Sequence, residues 1–247
     1  MLNLTFNELH LLSTNPQQFQ QMHLESWGLP PTSEIKQRQD TGSQFHLLMR
    51  QKLMGLPVEP ILETYPQMRR WLTFLQKAAP EIFTEELSIG KEWDYSRTLM
   101  CEGHLLKVVY NLLLTDSSHA QIIEWTTSAL PPITLLEKDW KTRLYLYVLA
   151  ETTDYPPSSI SMTYWFVQSE IEPIALRLDY DEALHALSKI QLTALLNQLN
   201  SWMKKYQELG ERFPSNKGFY TGNTNNFHYF ESKTVATSFE DVEEISI

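Results

Sequence analysis

The sequence predicts a protein of the α/β (α+β) class, with a central mixed β-sheet flanked by helices and a long C-terminal helix. Residues 1–80 carry segments of helical periodicity, and residues 81–180 carry short β-rich runs between turn-forming residues. Apolar residues then recur at helical spacing over about 181–209. Because 247 residues are enough to bury one large core, we expect a single domain over residues 1–212.

The N-terminal 80 residues are predicted to form three helical segments. Residues 2–31 favour one or two short helices, closed by the turn-forming run GLPP at 28–31. The next helix follows Gly42 and stops at a turn made by Gly55 and Pro57, and the third begins near Tyr65 and ends at Pro80. In these last two helices the residues expected to face inward are Phe45, Leu48, Met49, Leu53, Trp71, Phe74 and Leu75.

The middle of the chain is predicted to form the sheet. Its β-rich runs are separated by turn-forming residues at Gly90-Lys91 and at 115–118, and they cover residues 84–93, 96–116 and 120–128. The last two of these runs are expected to pair as a hairpin. After them we predict, in order, a helix over 137–153, a strand over 159–169 and a candidate strand over 172–181.

A long helix is predicted from Asp181 to Leu209, because Asp181 is a favoured N-cap and Gly210 a favoured C-terminal stop. Its inward-facing residues are expected to be Ala183, Leu187, Ile190, Ala194, Leu195, Leu199 and Met203. The last stretch, 213–247, is polar and rich in Asn, Thr and Ser, so we expect it to form a flexible tail.

Composition and charge restrict the kinds of site, compartment and binding partner that we expect for this chain. The single cysteine, Cys101, rules out an internal disulfide and any multi-cysteine zinc or iron–sulfur site. The sequence shows neither a basic-then-apolar leader nor an apolar run long enough to span a membrane, so we expect a cytoplasmic protein with no membrane partner. A formal net charge of −10 disfavours strong, non-specific binding to a phosphate backbone.

Polar residues interrupt the buried-strand pattern in QIIEWTTS, residues 121–128. Residues i and i+2 of a strand share a face, so Glu124 and Thr126 should point together, with Asn111 placed to lie beside Glu124 across the hairpin. Two carboxylates and a lysine at these places would suit Mg²⁺ and the cleavage of a phosphodiester. Asn111, however, brings no charge, and Thr126 brings no ammonium.

The order and spacing of these segments resemble the RecB-like branch of the PD-(D/E)XK nuclease superfamily, over about Leu12 to Leu209. STNPQQFQQMHLE resembles the branch's Cys-Pro-Arg helix, with Asn15-Pro16 in place of Cys-Pro. GSQFHLLMR resembles the Gly-x-x-x-His helix, with Gly42 and His46 in register.

The later segments extend the resemblance. GHLLKVVYNLLL resembles the strand that bears the motif aspartate, with Asn111 in its place, and IIEWTTS resembles the Asp/Glu-x-Lys strand, with Glu124 and Thr126. WKTRLYLYVLAE resembles the Gln-Leu-x-x-Tyr helix, with Arg143 in the Gln place and Tyr147 matching.

The resemblance implies a restriction-endonuclease-like core and a set of site positions. The implied catalytic positions are Asn111, Glu124, Thr126, Arg143 and Tyr147, and the metal ligands would be His46 and Glu124 if Mg²⁺ or Mn²⁺ is bound. An iron–sulfur cluster is excluded, because Asn15 replaces the first cysteine and GNTNNFHYFES near the C-terminus has none. We therefore expect no resident cofactor.

Three hypotheses follow. The leading one is a nuclease-like protein with a degraded centre, which associates with nucleic acid or binds a protein partner without cutting. The second is an active metal-dependent nuclease with a relocated lysine, for which Lys141 and Arg143 on the following helix are candidates. The third is a protein–protein adaptor with no nucleic-acid role, which the negative charge favours. His46 and Arg143 also have ordinary interpretations, as a hydrogen-bonded core histidine and as a partner of Asp139.

Overall fold

The computed structural model describes residues 1–25, 33–84, 89–168 and 172–215, with the backbone alone for residues 33–40. The helices are α1 (Phe6–Thr14), α2 (Pro16–His23), α3 (Ser33–Leu53), α4 (Glu59–Thr64), α5 (Pro66–Ala78), α6 (Pro80–Phe83), α7 (Ile133–Lys138), α8 (Trp140–Thr152) and α9 (Glu182–Leu209). The strands are β1 (Asn3–Leu4), β2 (Gly90–Cys101), β3 (His104–Thr115), β4 (Ala120–Thr126), β5 (Ile160–Phe166) and β6 (Ile174–Asp179). The predicted turn at 28–31 and residues 216–247 of the predicted tail lie outside the described residues.

The described strands form one mixed sheet in the order β1-β3-β4-β5-β6, with β2 also paired to β3. β2, β3 and β4 are antiparallel neighbours, β4 and β5 run parallel, and β6 closes the sheet in antiparallel pairing with β5. This arrangement confirms the predicted central mixed sheet, the hairpin of β3 with β4, and the long C-terminal helix.

The boundaries of β2 and β3 correct two predictions. The run over 96–116 is two strands rather than one, joined by Glu102 and Gly103 with φ of 47° and 81°. Positive φ at both central residues is the geometry of a tight two-residue hairpin, and Gly103 adopts it without a steric cost. The predicted turn at Gly90-Lys91 is wrong, because both residues belong to β2, where they pair with Thr115 and Leu114 of β3.

The sheet separates two hydrophobic clusters. One cluster joins α1, α2, α8 and α9 to one face of the sheet, and the other joins α3, α4, α5 and α6 to the opposite face. Val108 and Tyr110 belong to the first cluster, whereas Leu112 and Leu114 belong to the second. The even-numbered side chains of β3 therefore face the first cluster before Asn111 and the second cluster after it.

The long helix α9 packs through the predicted stripe in its C-terminal half, where Leu195 and Leu199 are buried, but not in its N-terminal half. Leu187 and Ile190 are 45% and 66% exposed, while Ser188 and Leu192 are buried. Leu187 and Ile190 are apolar at helical spacing, so periodicity alone could not show that this half of the predicted stripe is exposed. Beyond α9, Phe213 is buried between Phe19 and Trp202. The packed part of the chain therefore extends one residue beyond the predicted domain, which ends at residue 212.

No helix in the described part of the chain is both long and apolar enough to cross a membrane.

Candidate functional site

Glu124 lies where β3 and β4 separate. The β3–β4 ladder pairs Leu112 with Ile123, and β1 reaches the same edge of β3 only at Leu105 and Leu106. The intervening stretch of β3 has no strand neighbour on that edge among the described residues. Glu124 fills the gap at one position, because its Oε1 accepts a hydrogen bond from the Asn111 backbone N–H at 3.1 Å.

The second oxygen of Glu124 is held by Lys141. Lys141 Nζ donates to Glu124 Oε2 at 2.6 Å, and the carboxylate side chain is 1% exposed. Burial raises the pKa of Glu124, while the charge and hydrogen bond of Lys141 and the Asn111 N–H oppose that rise. Both carboxylate oxygens are therefore bound by donors from within the chain.

Lys141 reaches the carboxylate from the first turn of α8. Asp139 caps that helix, accepting a hydrogen bond from the Lys141 backbone N–H at 2.7 Å. The Lys141 ammonium also lies 5.5 Å from the ring centre of Phe6 and 5.4 Å from that of Tyr145. The Lys141 side chain is 25% exposed, so the pair is open to solvent at the lysine.

The two motif positions beside Glu124 carry other hydrogen bonds. Asn111 Nδ2 makes a long contact of 3.5 Å to the Trp125 carbonyl oxygen, and Thr126 Oγ1 accepts from the Ser128 backbone N–H at 3.1 Å. The structure thus brings Asn111 and Glu124 together as predicted. Thr126 shapes the turn that follows β4 and supplies no positive charge.

His46 lies against the opposite side of β4. Its Nδ1 accepts a hydrogen bond from the Trp125 indole Nε1 at 3.1 Å, and a Cβ at Gly42, one turn earlier in α3, would lie 3.5 Å from Thr127 Oγ1. Desolvation, followed by the charge of Lys141, lowers the pKa of His46 to about 4, against a smaller opposite effect of Asp94. His46 is therefore a neutral acceptor for Trp125 near pH 7.

Arg143 and Tyr147 point away from Glu124. Arg143 Nη1 donates to Gln191 Oε1 of α9 at 2.6 Å, and the Tyr147 ring stacks on His185 of α9 with centres 5.0 Å apart. Burial raises the pKa of Tyr147 to about 12.

The residue that sequence reasoning ranked too low is Lys141. Residues four apart share a helix face, so Lys141 and Tyr145 form one face of α8 towards the sheet, while Arg143 and Tyr147 form another towards α9. The spacing between Lys141 and Tyr145 was the signal that could have placed Lys141 beside the sheet, since the Tyr145 ring packs against Tyr110 of β3.

The residues at this site do not fit a divalent cation. Among the described residues, Glu124 is the carboxylate at the end of β4, and both its oxygens accept hydrogen bonds. The Lys141 ammonium at 2.6 Å places a positive charge where a divalent ion would approach the carboxylate. No group of three or more His, Cys, Asp and Glu side chains in the described ranges is arranged to hold a metal ion.

The profile of one protein family, the PD-(D/E)XK nuclease superfamily, matches residues 3–221. The chain belongs to the PD-(D/E)XK nuclease superfamily. The match covers every strand of the sheet and all the helices named above, so the restriction-endonuclease-like core implied by the sequence is confirmed.

Solved structures similar to this PD-(D/E)XK chain are distant in sequence. A protein assigned as an exonuclease from Eubacterium rectale is 7% identical, with a TM-score of 0.49 over 81% of this chain and 82% of its own. A crystal structure named SSO0001 is 10% identical, with a TM-score of 0.35 over 78% of this chain and 76% of its own. A comparison with curated proteins gave no match. Family membership therefore rests on the profile match.

Proposed function

We propose that this chain is a RecB-like member of the PD-(D/E)XK superfamily that does not cleave nucleic acid and acts by binding. One observation carries the proposal: both oxygens of the buried Glu124 carboxylate already accept hydrogen bonds, one from the Asn111 N–H and one from the Lys141 ammonium. The resemblance implies that cleavage needs a second carboxylate at 111 and an ammonium at 126, which are Asn and Thr here. Losing one preorganised electrostatic group costs about 10²–10³ in rate, and two are missing.

A cleavage assay tests this proposal directly. Single- and double-stranded DNA are incubated with the protein in Mg²⁺ or Mn²⁺, beside Glu124→Gln prepared in the same way. We expect the two proteins to leave equal, background amounts of product. Cutting by the unmodified protein that Glu124→Gln abolishes would overturn the proposal.

The position of Lys141 favours one alternative, an active nuclease in which this lysine replaces the one missing at 126. Its ammonium already contacts the site carboxylate at 2.6 Å. That alternative predicts metal-dependent cutting that is lost in Lys141→Met and kept in Lys138→Met, since Lys138 is an exposed residue on α7. Absence of cutting in all three proteins removes the alternative.

The binding partner is the remaining question, and DNA and a protein are the two candidates. The net charge of −10 favours a protein partner, the adaptor hypothesis, over the phosphate backbone of DNA. Gel-shift assays with DNA at low salt distinguish a DNA partner from a protein partner. A DNA complex should weaken steeply as salt rises, because bound cationic side chains release counterions from the backbone. We expect no such shift.

A further inference from the structure

The Lys141 ammonium lies in a box made of one carboxylate and two aromatic rings. Glu124 Oε2 is 2.6 Å away, and the ring centres of Phe6 and Tyr145 are 5.5 Å and 5.4 Å away. These three groups come from β4, α1 and α8. An anion combined with aromatic faces is the set of groups that binds an organic ammonium ion.

The walls of the box are fixed by contacts that do not involve Lys141. The Tyr145 ring packs edge-to-face on Phe6 at 6.0 Å and on Tyr110 at 5.4 Å. Tyr110 OH donates to the Tyr145 carbonyl oxygen at 3.1 Å, and the Asn111 N–H holds Glu124. The box should therefore keep its shape when the lysine side chain is shortened.

The same walls are poorly suited to Mg²⁺ or Mn²⁺. Hard divalent ions need several oxygen ligands and keep some of their water. Phe6 offers no oxygen, and the Tyr145 ring presents its face to the cation position. Glu124 alone supplies one carboxylate. The chemistry of the box thus selects a singly charged ammonium.

The position of Lys141 in its helix supports this assignment. Positive charge is unfavourable in the first turn of a helix, where backbone N–H groups already point outward. Lys141 is the second residue of α8, and that helix has no acidic residue in its first turn. Asp139 caps this helix end, and the Lys141 ammonium itself is paired with Glu124 of β4.

We propose that this box is an ammonium-binding site in which the Lys141 side chain is the covalently attached ligand. When that side chain is removed, the box accepts a free primary alkylammonium ion. The inference goes beyond the proposed function, because it depends on Phe6 and Tyr145 and not on the absence of cleavage. A protein that cuts DNA would refute the proposed function and leave ammonium binding untouched.

The test uses Lys141→Ala and n-propylammonium chloride, which replaces the atoms lost from the side chain. Thermal unfolding is followed with propylammonium, with NaCl at equal ionic strength, and with MnCl₂. We expect propylammonium at about 0.2 M to raise the melting temperature of Lys141→Ala by about 2 °C over NaCl, in a saturable manner. The unmodified protein and Lys141→Ala/Glu124→Gln should show no such rise.

Two results would overturn the inference. One is a melting temperature of Lys141→Ala that is the same in propylammonium and in NaCl. The other is saturable stabilisation of Lys141→Ala by MnCl₂ that exceeds the effect of propylammonium, since the pocket would then remain a divalent-cation site. Tyr145→Leu in the Lys141→Ala background should reduce the propylammonium effect.

If Lys141→Ala does not fold unaided, the same salts are compared during refolding from denaturant. We then expect propylammonium, and neither NaCl nor MnCl₂, to increase the yield of folded protein. Equal yields in the three salts would contradict the proposal.

Discussion

The two faces of β4 hold their polar groups in different ways. On the α8 face, the buried carboxylate of Glu124 is balanced by a full charge on Lys141. On the α3 face, the indole of Trp125 donates to a neutral imidazole, that of His46, which is an exposed residue. The first arrangement depends on two matched charges, and the second needs only one acceptor.

This difference explains which motif positions have a structural role that does not depend on a bound metal. His46 on α3 is the hydrogen-bond acceptor of Trp125 on β4, so its presence does not require catalysis. Asn111 and Thr126 make backbone contacts that other residues could also make. Resemblance in the helices is therefore compatible with a changed centre in the strands.

The largest effect is expected on the α8 face, from Lys141→Met. Breaking a buried ion pair at one partner typically costs about 3–5 kcal/mol, because it leaves a buried charge without compensation. We expect the melting temperature to fall by at least about 6 °C. Lys138→Met, at an exposed position two residues before the start of α8, should change stability by less than about 0.5 kcal/mol.

A second substitution shows whether the uncompensated charge is the cause. Glu124→Gln added to Lys141→Met removes that charge, so the double variant should be more stable than Lys141→Met alone. If the double variant is less stable by the sum of both single effects, the two residues are not coupled and the comparison fails on this face.

A smaller effect is expected on the α3 face, from His46→Leu. This change leaves the Trp125 indole N–H without its acceptor, which should cost about 1–2 kcal/mol in unfolding free energy. His46→Gln retains an acceptor and should lose less. Chemical denaturation of both variants in EDTA measures the difference, and equal losses would show that the hydrogen bond is not what His46 provides.

Gly42→Ala should be tolerated and slightly stabilising. The added Cβ would lie 3.5 Å from Thr127 Oγ1, an ordinary contact distance, and alanine is favoured over glycine inside a helix by up to about 1 kcal/mol. Thermal unfolding checks the sign. A clear loss of stability would mean that α3 must approach the turn after β4 more closely than this distance indicates.

The smallest effect is a pH dependence from His46. Its pKa is lowered from 6.5 to about 4 in the folded protein, so between these values the unfolded chain binds more protons. The contribution of His46 is complete above pH 6.5 and is lost as the pH falls towards 4. Because His46 is exposed, we expect its contribution to the free energy of unfolding to be less than about 1 kcal/mol. The free energy of unfolding is measured at pH 7.5 and at pH 5. It should fall more on acidification for the unmodified protein than for His46→Gln, and an equal fall in both would show that His46 does not cause the pH dependence.

Much of the fold followed from patterns that are local in sequence. Strand-like runs and turn-forming residues predicted the hairpin of β3 with β4 and the strand at β5, and the capping preferences of Asp181 and Gly210 predicted the ends of α9. The turn at Glu102-Gly103 was missed because a glutamate rarely adopts positive φ. The C-terminal half of the α9 stripe was predicted correctly, whereas its N-terminal half was not, because Leu187 and Ile190 are apolar and yet exposed.

The candidate site was harder to predict for a different reason. Glu124 and Asn111 are neighbours through strand register, which sequence spacing encodes. The pairing of Lys141 with Glu124 depends on the rotation of α8 against the sheet, which is fixed by the packing of Tyr145 on Tyr110 and Phe6. That packing is set by tertiary structure, so the motif resemblance pointed to Arg143 instead.

We propose that this member of the PD-(D/E)XK superfamily balances its buried carboxylate with a lysine and binds no divalent metal there. The most direct measurement is the melting temperature of the unmodified protein in about 10 mM MnCl₂ against EDTA at matched ionic strength, because any ligand of the folded state raises it. We predict agreement within about 1 °C. A manganese-dependent rise of several degrees that disappears in Glu124→Gln would contradict the claim.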